Sequence, residues 1–160
     1  VVGICRSLLV VGWNSSSSRV LHAAVGRCGG DCDNGRVSTF YDEIGGYDTI
    51  RQIVATFYEG VAGDEVLRPM YPEEDLGPAE ERFRDFLVQY WGGPTTYSDQ
   101  RGHPRLRMRH APFAVTPEAK DHWLQHFRAG LDAADLTPEQ DAQFWDYVTH
   151  AAQFMVNTFE

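Results

Sequence analysis

Cysteine is absent after residue 32. The three cysteines, Cys5, Cys28 and Cys32, lie in the first fifth of the chain, so no disulfide framework can hold the remainder together. A core without cross-links fits a reducing, cytoplasmic compartment. Long apolar runs are missing too: none approaches the roughly 20 residues that a membrane-spanning helix needs. Cations are scarce, with 14 Lys and Arg against 23 Asp and Glu and a formal net charge of −9. That balance argues against a general nucleic-acid binder, which carries a basic stripe, and against docking on an anionic membrane. No stretch alternates as a half-buried strand does, and no internal repeat is present.

Residues 1–37 have little that specifies structure. They hold a four-serine run, scattered glycines and one short apolar patch, Leu8 to Trp13. The patch is too short for a secretory signal, and no small-residue cleavage site follows it. His22, Cys28 and Cys32 offer three metal-binding side chains in a spacing that matches no structural zinc pattern. The chain begins with Val1, and one reading is of upstream sequence translated from a misplaced start. The expectation is a disordered extension over 1–37 and a single folded domain over 38–160.

What the sequence does contain is a helical period. Hydrophobic residues make up 42% and aromatics 12%, enough for a packed core. Ser38 can cap a short helix, Thr39–Ile44, stopped by Gly45-Gly46. Asp48 can cap the next, in which Ile50, Ile53, Val54, Phe57, Tyr58 and Val61 form one apolar face, and Gly63 breaks it. A short helical turn over 64–70 ends at Tyr71-Pro72. Pro78 suits a first helical position, and Ala79, Phe83, Phe86, Leu87 and Tyr90 continue the period to Gly92-Gly93-Pro94. Residues 95–105 read as turns, and Leu106–His110 as about one helical turn. Thr116-Pro117 opens a long helix with Ala119, Trp123, Phe127 and Leu131 on one face. Thr137-Pro138-Glu139-Gln140 is a capping box for the last, with Phe144, Val148, Ala151, Ala152 and Met155 inward. The class is all-α, with closely crossing helices.

The chemistry gathers around His110. Arg101, Arg105, Arg107 and Arg109 crowd before it in an otherwise acidic chain. Two bland accounts stand: a histidine satisfied by hydrogen bonds, and a solvated basic loop. The alternative is a local anion plus a metal. A haem would supply both, with iron for a neutral imidazole and two propionates for guanidinium groups. Tyr58, Tyr71 and Trp123 are neutral donors on or near core-facing stripes. They suit stabilising a partly negative diatomic ligand and do not suit general-base hydrolysis. His122 and His126 are spaced i, i+4 but lack a clear third ligand for zinc. Glu73-Glu74-Asp75 reads as a solvated loop or cap, and Gly92-Gly93-Pro94 lacks phosphate-loop spacing.

The blocks Phe57-Tyr58-Glu59, Tyr71-Pro72, the run from Phe86 to Pro94 (FLVQYWGGP), the run from Gly102 to Phe113 (GHPRLRMRHAPF) and Trp123 together resemble the group II, or O-type, truncated haemoglobins. The resemblance spans residues 38–160. It implies a two-over-two helical sandwich around haem b, with His110 as the proximal iron ligand and Tyr58, Tyr71 and Trp123 as distal donors. It implies haem contacts from Phe57, Ala79, Phe83, Leu87, Arg109 and Phe113, with Arg109 at a propionate. Ala79 occupies the position where many globins carry a polar distal residue, which leaves ligand stabilisation to the tyrosines and Trp123. The expected ligands are dioxygen, carbon monoxide and nitric oxide. The expected role is oxygen binding, storage or transport. The rival is redox catalysis at the same haem, as a nitric oxide dioxygenase or peroxidase-like enzyme, which would need a separate reductase. A homo-oligomer is compatible with the sequence.

Overall fold

The computed structural model describes residues 37–159. The readings made for residues 1–36, including disorder, a misplaced start and the His22, Cys28 and Cys32 grouping, lie outside them. Every regular element among the described residues is helical, in the order α1 (Phe40–Glu43), α2 (Gly46–Ala62), a 3₁₀ turn (Arg68–Met70), α3 (Gly77–Tyr90), α4 (Thr96–Arg101), α5 (Leu106–His110), α6 (Pro117–Asp132) and α7 (Pro138–Met155). No helix among them is long and apolar enough to cross a membrane.

The helix starts follow cap chemistry, with three shifts from the sequence reading. Thr39, not Ser38, caps α1, because its hydroxyl accepts from the Asp42 N–H while the Asp42 carboxylate reaches back. Gly45, not Asp48, precedes α2, since a left-handed φ of 93° turns the chain there. Pro78 stands second rather than first in α3. Thr116 and Thr137 cap α6 and α7 as expected, each accepting a backbone N–H three residues on. The unexpected element is α4, in the stretch read as turns. Gln89 of α3 holds it: its amide oxygen accepts from the Ser98 N–H at 2.9 Å and its NH2 donates to the Ser98 hydroxyl at 2.6 Å. A six-residue helix is too short to persist on propensity and needs such a tertiary tie.

Four long helices pack as two pairs. The α2 helix packs on α3 and crosses α6, and α6 packs on α7. The apolar face predicted for α2 is the buried one: Ile50, Ile53, Val54, Phe57 and Val61 are fully covered and Tyr58 nearly so. The crossing of α2 and α6 is close because Gly130 has no side chain. A Cβ there would stand 2.6 Å from the Ile53 carbonyl oxygen. The end of α3 is tied to α1 through Gly92, whose φ is 103° and whose absent Cβ would meet that of Thr39 at 2.8 Å. That contact gives the Gly-Gly-Pro block a structural reason. Between α6 and α7, Arg128 pairs with Asp132 and Asp141 and lies over the Trp145 ring.

Candidate functional site

The named side chains fall into two groups. The first is an aromatic cluster built from α2, α3, α6 and the segment after the 3₁₀ turn. Helical spacing puts Phe57 and Tyr58 side by side on the inner face of α2, with ring centroids 5.0 Å apart. Tyr71 arrives from the 3₁₀ turn, 5.8 Å from Tyr58. Phe83 of α3 lies 5.6 Å from Phe57 and 5.8 Å from Trp123, and Trp123 stacks on Phe127 at 5.0 Å with an 8° tilt. Ala79 is buried one helical turn before Phe83, and Leu87 one turn after it. Phe57 and Leu87 have their surfaces covered by neighbouring protein.

Burial decides the protonation of the two phenols. The Tyr58 and Tyr71 rings pack edge to face. Burial, reinforced by Tyr71, pushes the Tyr58 hydroxyl far above its ordinary value, and burial likewise raises Tyr71. Both stay neutral donors at any physiological pH. With the indole N–H of Trp123 they make a donor set without a base.

The second group lies on α5 and the turn after it. The His110 Nδ1 lies 2.7 Å from the Leu106 carbonyl oxygen. A carbonyl only accepts, so Nδ1 carries the proton and Nε2 keeps its lone pair. This is the tautomer that a metal-binding imidazole needs, oriented from behind by its own helix. A five-residue helix is marginal alone, and α5 is pinned to the chain's C-terminal end. Arg107 donates to the Phe154 carbonyl at 3.2 Å and stacks over the Phe154 ring. Asn157 donates to the His110 and Phe113 carbonyls at 3.2 and 3.0 Å and accepts from the Val115 N–H at 3.0 Å. Met108 and Phe113 stay exposed on this segment, at 67% and 37%. Exposed apolar side chains beside a metal-ready imidazole are what a large apolar cofactor would cover.

The arginines are already partly engaged. Arg109 donates to the Pro104 carbonyl from Nε at 2.8 Å and to the Arg101 carbonyl from Nη2 at 3.0 Å. Its fork therefore braces the loop before α5, with donors left for an anion. Arg105 takes a left-handed φ of 43° to begin α5. Its backbone N–H donates to His103 Nδ1 at 3.2 Å.

Sequence reasoning missed two residues that organise these groups. Asn157 contacts residues 42–47 positions away, and no local pattern marks it. Asp64 completes the pair His122 and His126, whose third partner could not be named from spacing. One carboxylate oxygen, Oδ2, accepts from His122 Nδ1 at 2.8 Å and His126 Nε2 at 2.7 Å. These are hydrogen bonds, and among the described residues no His, Cys, Asp and Glu grouping is arranged to hold a metal ion.

The donor chemistry fits haem: an oriented imidazole with a free Nε2, a separate set of neutral donors, and surplus guanidinium groups by the imidazole. The similarities point the same way. A sequence profile of the bacterial-like globins matches residues 39–157. The chain is 38% identical over 120 residues to the group 2 truncated haemoglobin YjbI of Bacillus subtilis strain 168, spanning 75% of this chain and 89% of that protein. It is similar to the crystal structure of a thermostable haemoglobin from the actinobacterium Thermobifida fusca, with a TM-score of 0.76 and 58% identity over 77% of this chain and all of that one (100%). The group II truncated haemoglobin of Bacillus anthracis matches with a TM-score of 0.73 and 35% identity, over 77% of this chain and 94% of that one.

Proposed function

The chain belongs to the group II truncated haemoglobins, and from that premise we propose that it holds haem b through Nε2 of His110 and binds dioxygen reversibly beside Tyr58, Tyr71 and Trp123. Haem-based binding of diatomic ligands follows from the family. When bound, haem supplies a ferrous iron with one position for the imidazole and one for a diatomic ligand.

The observation that carries the reading is the His110 to Leu106 hydrogen bond at 2.7 Å, which fixes the tautomer and leaves Nε2 available. Asn157 and Arg107 hold the short helix that presents it. Tyr58 and Tyr71 orient one another through their edge-to-face ring contact. Their hydroxyls and the Trp123 N–H can donate to a ligand that gains negative charge, and donors already in place cost little reorganisation. Phe57, Phe83, Phe127 and Ala79 keep that region dry, which strengthens each donated bond. Arg109 spends two donors on its own loop and offers the rest to a propionate.

The test is a visible spectrum and iron analysis of purified wild type and His110→Ala. Wild type is expected to carry a Soret band and about one iron per chain, and the variant to lose stable haem binding. An unchanged Soret band in the variant would overturn the ligand assignment. Mixing the oxygenated protein with nitric oxide in stopped flow separates reversible binding from dioxygenase turnover. Rapid conversion sustained by an external reductase would favour the enzyme.

A further inference from the structure

Asp64 carries a carboxylate with all four of its acceptor positions used. Its Oδ1 accepts from the Val66 and Leu67 N–H groups at 2.9 and 2.8 Å, and its Oδ2 accepts from the two imidazoles of α6. Its side chain is 7% exposed. The bonds do not end there. The Asp64 carbonyl accepts from the Arg68 N–H at 3.0 Å, and the Arg68 Nη1 donates to the Tyr71 carbonyl at 2.9 Å. A continuous set of hydrogen bonds thus runs from α6, through Asp64, to the backbone of Tyr71. On α6 the two histidines bracket Trp123: His122 precedes it and His126 lies one turn on.

The packing has been cut to fit this junction. A Cβ on Gly60 would lie 2.3 Å from His126 Nδ1, so only glycine lets the imidazole lie against α2 and reach Asp64. Neither histidine is used by the haem reading, and Asp64 touches none of the distal rings' polar atoms. The junction thus reaches the backbone of Tyr71 at one end and flanks Trp123 on α6 at the other.

We propose that Asp64 is a positioning residue that sets the spacing between the Tyr58–Tyr71 pair and Trp123 through His122 and His126, and that this spacing responds to pH at His122. The inference rests on the haem reading of the same pocket. The charged groups acting on His122 are Asp64 from the α2 to 3₁₀ segment and Glu118 and Asp121 from α6 itself. Glu65 and Arg68 line the groove that Asp64 borders. His122 is 37% exposed, so solvent protons reach it. Its hydrogen bond to Asp64 raises its pKa, desolvation opposes this, and the nearby carboxylates add to the rise. Below that raised pKa the bond is charge-assisted and short. Above it, a neutral imidazole still donates from Nδ1, more weakly, and the clamp on α6 relaxes.

The experiment uses the haem-loaded protein with carbon monoxide bound. Imidazole titrations are followed by NMR, and the C–O stretching band is followed by infrared, because that band reports the donors around the ligand. Wild type is expected to show His122 titrating above the usual imidazole range and a C–O band that shifts over the same interval. In His122→Gln the band is expected to stay fixed with pH, and oxygen release to quicken about two- to tenfold, the equivalent of one neutral hydrogen bond. Asp64→Asn should return His122 to its ordinary titration. If that substitution prevents folding, His122→Gln and His126→Gln, on partly exposed side chains, carry the test. A wild-type band that ignores the His122 titration, or a band in His122→Gln that moves as in wild type, overturns the proposal. A protein that takes up no haem overturns the haem reading and this inference together. A haem-loaded protein with a pH-independent band overturns this inference alone.

Discussion

At the scale of single residues, function divides between charge and tautomer. His110 matters for which nitrogen is free, and the Leu106 carbonyl decides that. Trp123 matters as a donor that cannot accept or ionise. Its ring is held from both sides, by stacking on Phe127 and by contact with Phe57 and Phe83. Replacing it with phenylalanine therefore removes one donor while keeping an aromatic ring in the gap. Trp123→Phe is expected to speed oxygen release about ten- to a hundredfold, since a hydrogen bond to a charged group is worth about 1.5–3 kcal/mol. Carbon monoxide affinity should barely change, because that ligand gathers little charge. Flash photolysis and stopped-flow mixing measure both, and an unchanged oxygen release rate would remove Trp123 from the distal set. His110 stood out in sequence because arginines crowd before it. The bracing role of Asn157 did not, because a tail residue bonding across 47 positions leaves no local period.

At the scale of elements, the long helices formed where apolar period and caps agreed. Those two signals act through different forces, burial and hydrogen bonding, so their coincidence specifies both a helix's face and its start. The helices that sequence placed poorly are those that depend on partners. The six residues of α4 hold their turn through Gln89. Glycines inside helices were equally opaque. Gly130 reads as a weak point in α6, since glycine costs about 1 kcal/mol against alanine in a helix interior. In the fold it lets α2 and α6 touch. Gly130→Ala would drive a Cβ to 2.6 Å from the Ile53 carbonyl oxygen, which is backbone and cannot swing aside. Overpacking of this kind costs about 1–3 kcal/mol and outweighs the propensity gain. The variant is expected to be less stable than wild type in urea unfolding, and a more stable variant would show that the crossing can open without cost.

At the scale of the whole molecule, Asp64, just beyond α2, ties that end of the chain to α6 through His122 and His126. Burial by itself would raise its pKa, but bonds from His122, His126, Leu67 and Val66 outweigh burial and hold the carboxyl well below the usual range. A depressed carboxyl contributes stability above the unfolded value of about 3.9 and loses it as pH falls toward the folded one. His122 acts in the opposite sense. With its pKa raised, its contribution is complete below about pH 6.5 and fades as pH rises through the folded value. Stability should therefore be highest between these limits. The gap between wild type and Asp64→Asn should be about 2 kcal/mol near pH 6 and should begin to shrink only as pH falls below about 4, toward the depressed folded value. Urea unfolding at a series of pH values measures it, and a gap that stays constant from about pH 6 down to about pH 2 would mean the carboxylate's charge is not what ties the helices. The sequence alone determined the all-α class, the long helices with their buried faces, and the side chains proposed to ligate iron or donate to a ligand. Each of these is written in period, cap or side-chain chemistry, which act over a few residues. Tertiary structure alone decided which histidine nitrogen is free, which glycines let helices cross, and that Asp64 joins two histidines 58 and 62 positions away. Those depend on which surfaces meet, and chain distance carries no record of that.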